Sequence, residues 1–339
     1  MSEPMITTYS MWSKFKNCRR ACYWRYFREL VPLEKAQTLY FGSAIHDCLE
    51  QWHHTRDVSA VIDLIDRAYP HRANDERERA DWHLARAMMT GYAARYPDEE
   101  FEVVALEKKF QGKIVNPATG ASSRSFSLAG KVDGIVKLYG GHFLLEHKTA
   151  AQIDGSYLDR LWLDFQIILY AWYVEQTLGI RIDGILYNIL VKAKLRQRKG
   201  ETEAEYEERK AALIAKSKTG RSSAKRKMPE SDETFQERLT VKYANPEMFH
   251  REVLYFSREQ FDELRTELWE LSQALLDARR QDTWYRNTSY CFQFGRPCTY
   301  FPLCRSGGSE HVIDNFYRHE PPHSELREEQ SPSADALPF

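Results

Sequence analysis

The chain has 339 residues, 42 % of them hydrophobic and 29 % charged, with a formal net charge of -1 at pH 7. That length allows a sizeable core in one large domain or two smaller ones. No run of about 18 apolar residues occurs, which excludes a transmembrane helix, and MSEPMITTYS lacks the basic start and apolar middle of a signal peptide, so a cytoplasmic location is the default expectation. The near-neutral total hides a segregation: Lys192 to Lys227 holds thirteen Lys or Arg against five Glu, and the tail after Cys304 holds seven acids against three Arg. One region can therefore meet a polyanion although the whole protein is almost uncharged.

Along the chain, Met11, Phe15, Cys18, Cys22 and Tyr26 stand three or four residues apart, which is helical spacing over Ser10 to Leu30. Arg19, Arg20, Arg25 and Arg28 lie mostly off that stripe. A second helix is expected over Gly42 to His54 and two more over Val58 to Tyr96, with Pro97 as a stop. From Phe101 the pattern turns to β-type runs: FEVVALEKKF, SFSLAGKVDGIVKL and GHFLLEHKT, with Gly140-Gly141 as the turn between the last two. LWLDFQIILYAWYVEQTL (Leu161 to Leu178) returns to helical spacing, and IDGILYNILVK reads as another strand. A meander, a helix and a further strand, flanked by helices, predict a mixed α/β sheet. Lys194 to Asn245 is highly charged and poor in large apolar residues. Within it KSKTGRSSAKRK (Lys216 to Lys227) has six basic residues and no acid; it reads as a solvated helical insertion with a disordered tip, an arm that touches nucleic-acid phosphates, or both. A helix over Phe261 to Arg280 leads to a cysteine cluster, and the Pro-, Ser- and Glu-rich end after about Asn315 is expected to be disordered. There is no internal repeat, and no G-x-x-x-x-G-K-[ST] loop, so no ATP motor is expected and any helicase would be a separate partner.

The chemistry concentrates in KVDGIVKLYGGHFLLEHKTA (Lys131 to Ala150). Alternate strand residues share a face, so Glu146 and Lys148 point one way, and Asp133 on the neighbouring strand can reach the same place. Two adjacent buried carboxylates are tolerable when a divalent cation sits between them, and Mg2+ or Mn2+ prefers oxygen ligands. The bland alternative for an E-x-K is a cross-strand salt bridge on a wet face.

Asp133, twelve intervening residues and then Glu146 in the run LLEHKT resemble the motif of the PD-(D/E)XK nuclease superfamily, and more narrowly its RecB-like branch. FGSAIHDCLE resembles that branch's helix with a metal-binding His, here His46; Glu107 in VVALEKKF stands where an acidic residue precedes the catalytic strands; LDFQIILYAWY resembles its Q-x-x-x-Y signature, here Gln166 and Tyr170. NCRRACYWRYF and RNTSYCFQFGRPCTYFPLC resemble the segments whose four cysteines hold an iron–sulfur cluster in some members. The resemblance implies an α/β restriction-endonuclease-like fold, a mixed β-sheet core flanked by helices, with a metal–cysteine staple joining the terminal segments. Together with the composition of the insertion and the tail, it predicts one domain over 1–314 (N-terminal helices 1–100, catalytic core 101–193, basic insertion 194–245, C-terminal helix and cysteine cluster 246–305) and a disordered acidic tail over 315–339.

For function, the resemblance implies a metal-dependent DNA exonuclease, related to enzymes of recombination, CRISPR adaptation and phage DNA metabolism, that leaves a 5′-phosphate. His46, Asp133, Glu146 and the backbone carbonyl of His147 would hold Mg2+ or Mn2+. Lys148 would position the attacking water, and Gln166 and Tyr170 would orient Lys148 and the scissile strand. Cys18, Cys291, Cys298 and Cys304 would ligate a [4Fe-4S] cluster, with Zn2+ as the alternative metal and Cys22 as a possible substitute for Cys18; Cys48 reads as core. Six residues separate Cys291 from Cys298 where the better-known form has two. Arg19, Arg20 and Arg25, and Lys216, Lys218, Arg221, Lys225, Arg226 and Lys227 in the arm, would contact DNA. A structure-specific endonuclease and a catalytically inactive DNA-binding module of the same fold remain the alternatives.

Overall fold

The structure, a computed structural model, describes residues 3–33, 37–293, 295–323 and 326. In chain order the elements are β1 (Met5–Thr7), α1 (Tyr9–Asn17), α2 (Arg19–Cys22), β2 (Leu30–Pro32), α3 (Gln37–Thr55), α4 (Val58–Ala68), α5 (Glu76–Arg95), β3 (Glu102–Val115), β4 (Ser122–Leu138), β5 (Gly141–Ala150), α6 (Gly155–Leu161), α7 (Phe165–Leu178), β6 (Gly184–Val191), α8 (Glu203–Lys216), α9 (Asp232–Tyr243), β7 (Phe249–Leu254), α10 (Arg258–Arg280), β8 (Phe292–Gln293), β9 (Arg296–Pro297), α11 (Phe301–Arg305), α12 (Glu310–Phe316) and β10 (Tyr317–His319).

The expected meander is present as a six-stranded mixed sheet. β3 pairs with one edge of β4 over nearly its whole length; β5 follows β4 as a hairpin, β6 lies parallel to β5, and β7 closes the sheet antiparallel to β6. The hairpin turn is one residue earlier than Gly140-Gly141: Tyr139 and Gly140 both take positive φ (52° and 80°), the combination a two-residue hairpin needs to match strand twist. β5 and β6 are parallel, so the chain crosses over between them through α6 and α7, as parallel pairing requires. β6, buried on both faces, reads GILYNILV with one polar residue, Asn188.

Two apolar layers cover the sheet. One contains Met11, Trp12 and Phe15 of α1, Ile167 to Val174 of α7 and Leu268 and Leu275 of α10. The other contains Ile45 and Leu49 of α3, Val61 and Ile65 of α4, Met88 and Tyr92 of α5, and Phe235 and Leu239 of α9. The helix predicted over Ser10 to Leu30 is broken: α1 ends at Asn17, Cys18 is extended, and α2 runs into a π-helical turn at Tyr23–Phe27. That break lets Cys18 face a different cluster from Cys22, which stays in the sheet core.

The insertion is a folded arm. Its two flanks zip together through Glu201 N–H to Lys227 O (3.0 Å) and Glu230 N–H to Arg198 O (3.0 Å), and Arg209 grips Glu201 with two guanidinium bonds (2.8 and 2.6 Å). α8 begins with a Thr202–Glu205 capping box and buries no residue, whereas α9 packs on α5 through Phe235, Leu239 and Tyr243. Gly91 makes that packing possible, since a Cβ there would stand 2.7 Å from Tyr243 Cβ.

The tail also differs from the expectation of disorder from 315 onward. β10 pairs antiparallel with β2, Glu320 N–H donates to Glu29 O at 2.8 Å, and the buried Tyr317 joins Cys18, Trp24, Leu30, Tyr300 and Leu303 in a small core. A strand partner and an aromatic anchor overcome the local composition there. Most of the rest of the predicted tail, 324, 325 and 327–339, lies outside the described residues. Among the described residues no helix is long and apolar enough to cross a membrane.

Candidate active site

The site forms at a fork in the sheet. On one edge of β4, β5 pairs only as far back as Gly134↔Leu145, and β1 takes over at Phe126–Leu128. Neither strand pairs with 129–133 on that edge. Asp133 is the first residue past the fork, and its Oδ2 accepts the His147 backbone N–H at 2.7 Å, replacing the lost ladder bond. Glu146 and Lys148 project from β5 beside it, with Lys148 Nζ donating to Glu146 Oε1 at 2.6 Å. α3 brings His46 over the fork, Nδ1 3.3 Å from Asp133 Oδ1. The four side chains expected from the sequence therefore meet.

Burial makes these charges interact strongly. Burial opposes a charge on His46, but Asp133 and then Glu146 outweigh it and lift its pKa to about 9. Asp133 is lowered to about 2, because the His46 charge and hydrogen bonds from His46 and His147 exceed the cost of burial. Glu146 is pushed up to about 7 by burial and the adjacent Asp133, against the pull of Lys148. Burial disfavours the Lys148 ammonium, yet Glu146 and Asp164 raise its pKa and keep it charged.

Glu107 lies on β3 between the pairs Leu106↔Gly134 and Lys108↔Val132, directly across from Asp133, at φ 47°. A left-handed Glu inside a strand stores about 1–3 kcal/mol of strain. Its carboxylate forms an ion pair with Lys131. Tyr170 is buried against Phe110, with the ring centroids 4.9 Å apart, and reaches Gly130 on the open edge of β4, where a Cβ would stand 2.8 Å from Tyr170 Cζ. Gln166 sits partly buried in the first turn of α7. The residue from this segment that approaches Lys148 is Asp164, with Oδ2 3.7 Å from Nζ, while its Oδ1 caps α7 by accepting Gln166 N–H at 3.1 Å. Sequence reading passed over Asp164; its signal was an Asp just ahead of an apolar helix.

A second group that the sequence did not single out lies behind His147. His147, Asn188 and Arg251 are lateral partners across β5, β6 and β7. Asn188 Nδ2 lies 3.0 Å from His147 Nδ1 and 3.0 Å from Tyr92 Oη; Arg251 bonds Tyr92 Oη (3.2 Å) and the buried carboxylate of Glu99, which Arg56 also meets at 3.1 Å. His53 stacks on His147 at 5.4 Å. Burial holds both imidazoles neutral, with pKa values down to about 2 for His53 and about 3 for His147. The visible signal was a lone Asn in an apolar strand.

The donor set suits a hard divalent cation: Asp133, Glu146 and the His147 carbonyl offer oxygens in a fork, with His46 beside them. Among the described residues no group of three or more His, Cys, Asp or Glu side chains is placed so that it could hold a metal ion. Mg2+ does not need one, since one or two carboxylates, waters and substrate phosphates commonly complete its shell.

The cysteines divide cleanly. Cys18, Cys291, Cys298 and Cys304 line one small cavity with Ala21, Tyr290 and Tyr300. Cys22 points elsewhere, its Sγ 3.9 Å from Met11 O, and Cys48 packs in the α3–α4–α5 core. Among the basic residues, Arg20 donates to Trp284 O (2.6 Å) and Arg25 to Glu320 O (2.9 Å), so both are engaged in holding the C-terminal segment; Arg19 lies over the rings of Phe15 and Tyr285. In the arm Lys216, Lys218, Arg221, Lys225 and Lys227 are exposed, and Arg226 pairs with Glu203 at 3.0 Å. The arm leaves the sheet beyond Val191, at the end of β6 toward which Lys148 lies on β5.

A sequence model described as PD-(D/E)XK nuclease superfamily matches residues 7–305. No curated protein matches the chain.

Proposed function

The chain belongs to the PD-(D/E)XK nuclease superfamily, and from that premise we propose that it is a Mg2+- or Mn2+-dependent deoxyribonuclease of the RecB-like branch that digests single strands or DNA ends. The observation that carries this reading is the fork, which places Asp133, Glu146 and Lys148 together on β4 and β5 under His46. Asp133 and Glu146, with the His147 carbonyl and His46, would hold the cation. Bound there, it would polarise the scissile phosphate and lower the pKa of the attacking water. Lys148 stays protonated, so its task is to orient that water and to stabilise charge developing on the phosphate, while Asp164 holds the ammonium in place from the far side. Hydrolysis then proceeds by in-line displacement. Gln166 and Tyr170, on the helix that Asp164 caps, would orient the strand.

Cys18, Cys291, Cys298 and Cys304 line one cavity but do not stand as a group that could hold a metal; on this reading they would close around a [4Fe-4S] cluster, with Zn2+ as the other metal that four thiolates suit. The arm's exposed lysines and arginines would add affinity without sequence preference. A helicase would act as a separate partner. The competing reading, a non-catalytic DNA-binding module, has no use for two buried carboxylates facing a polyanion.

The deciding experiment incubates end-labelled linear and circular single-stranded DNA with the protein, with Mn2+ or EDTA, beside Lys148→Ala. Metal-dependent loss of the linear strand alone, absent in the variant, establishes an exonuclease. Loss of the circle as well indicates an endonuclease, and binding without cleavage under any metal supports the inactive module.

A further inference from the structure

A cleft of about 300 Å3 is lined by Tyr9, Ser13 and Lys16 of α1, Leu163 and Phe165 of the α6–α7 turn, and Glu267 of α10 among others. Leu163 and Phe165 flank Asp164, whose carboxylate approaches Lys148 at 3.7 Å, and both of those charges act on the Tyr9 phenol. The reaction centre and the cleft therefore share one turn of chain.

The lining has a definite chemistry. Tyr9 and Phe165 stack with centroids 6.0 Å apart and planes 29° from parallel, giving the cleft an aromatic wall. Leu163 stands 82 % exposed at the edge, on a turn fixed by Leu163 N–H to Arg160 O (3.1 Å), Asp164 N–H to Leu161 O (3.2 Å) and Phe165 N–H to Leu163 O (2.9 Å). A single exposed leucine needs no explanation. This one directly precedes Asp164, the residue that approaches Lys148, and lines the same cleft as a stacked aromatic pair. Lys16 and Glu267 form an ion pair in the same cleft, and the Lys16 ammonium lies 5.6 Å from the Phe165 ring centroid.

We propose that this cleft receives the base of the nucleotide adjoining the scissile phosphate. The assignment rests on the nuclease reading of the neighbouring fork. A nucleobase is flat, uncharged and edged with both donors and acceptors, which matches a stack of two aromatic rings that it can extend, flanked by an ammonium and a carboxylate; Glu267 would repel a phosphate but accept from an exocyclic amino group. A base in a duplex is stacked and paired and does not enter. The cleft thus selects strands that are single or frayed at the point of cleavage.

The test uses the full-length protein and single strands carrying one abasic residue, or one 2-aminopurine, at each of several successive positions from a labelled end, with Leu163→Ser beside the wild type. Leu163 is so exposed that the substitution leaves the fold intact. In Mn2+, an abasic residue at one position next to the cleaved bond is expected to raise KM about tenfold with kcat little changed. Leu163→Ser should raise KM on the intact strand and blunt that sensitivity. In Ca2+, as a cation that supports binding, wild-type protein should change 2-aminopurine fluorescence most at the same position. Equal KM for every abasic strand, or full position-dependent sensitivity in Leu163→Ser, overturns the cleft assignment while cleavage itself stands. If no strand is cleaved the nuclease reading fails, and a fluorescence change that is the same at all positions then rejects the cleft independently.

Discussion

The backbone N–H of His147 donates to Asp133 Oδ2 at 2.7 Å, one step beyond the last β4–β5 ladder pair. This bond fixes the carboxylate at a break in the sheet, because it comes from the strand that also carries Glu146 and Lys148. Asp133→Ala is expected to abolish cleavage and leave DNA binding largely intact. It also leaves a partly buried N–H unpaired, at a cost of about 1–3 kcal/mol. Thermal melting with and without Mn2+ checks the metal assignment: the wild type should gain stability from Mn2+ and the variant should not.

Asp164 has two functions that one substitution separates. Asn caps a helix about as well as Asp, so Asp164→Asn preserves the start of α7 and removes only the charge facing Lys148. The expected outcome is an unchanged melting temperature with kcat down roughly tenfold, about 1.4 kcal/mol of transition-state stabilisation. Steady-state kinetics beside a melt reads both.

The Glu99–Arg251 pair is buried, with Glu99 2 % and Arg251 12 % exposed at the side chain. Arg251→Leu leaves Glu99 with Arg56 at its edge and strips Tyr92 of a donor. Breaking one partner of a buried pair costs about 3–5 kcal/mol, so a large loss of stability in denaturant unfolding is expected. Tyr92→Phe should cost less, about 1–2 kcal/mol, since it removes hydrogen bonds and no charge.

The arm is separable because its flanks are zipped together at Glu201–Lys227 and Arg198–Glu230. Replacing Lys216, Lys218, Arg221 and Lys225 with Ala should leave melting and kcat near wild type and weaken DNA binding. For every phosphate that the arm no longer neutralises, the plot of log Kd against log salt should flatten by about 0.7 on a single strand. An unchanged slope would remove the arm from the DNA interface.

For the cysteine cavity, anaerobically purified protein is expected to be brown, with broad absorbance near about 400 nm and roughly four irons per chain. Cys298→Ser should lose that absorbance, and Cys22→Ser should keep it because Cys22 faces the sheet core. A colourless protein with one zinc per chain would replace the cluster with zinc.

Much of the candidate site was legible in the sequence, since strands with period-two patterning state which residues share a face. Asp133, Glu146 and Lys148 followed from that periodicity, and His46 from the resemblance. Asp164 and Asn188 were not legible as site residues, because a capping Asp and a polar residue in a strand each have common local explanations. The tail misled in the opposite sense: its composition predicted disorder after Asn315, and composition does not show that Tyr317 will find a core.

The sequence by itself determined the order of helices and strands, the mixed sheet and which charged residues share a face on β4 and β5, because hydrophobic periodicity and turn residues act over a few neighbours. Only the tertiary structure decided the fork at Gly134, the break that sends Cys18 to the C-terminal cysteines and Cys22 to the core, and the lateral line from His147 through Asn188 to Arg251. Those relationships join residues tens to hundreds of positions apart. They depend on where strand pairing stops and which faces pack, and no local stretch of the chain encodes that.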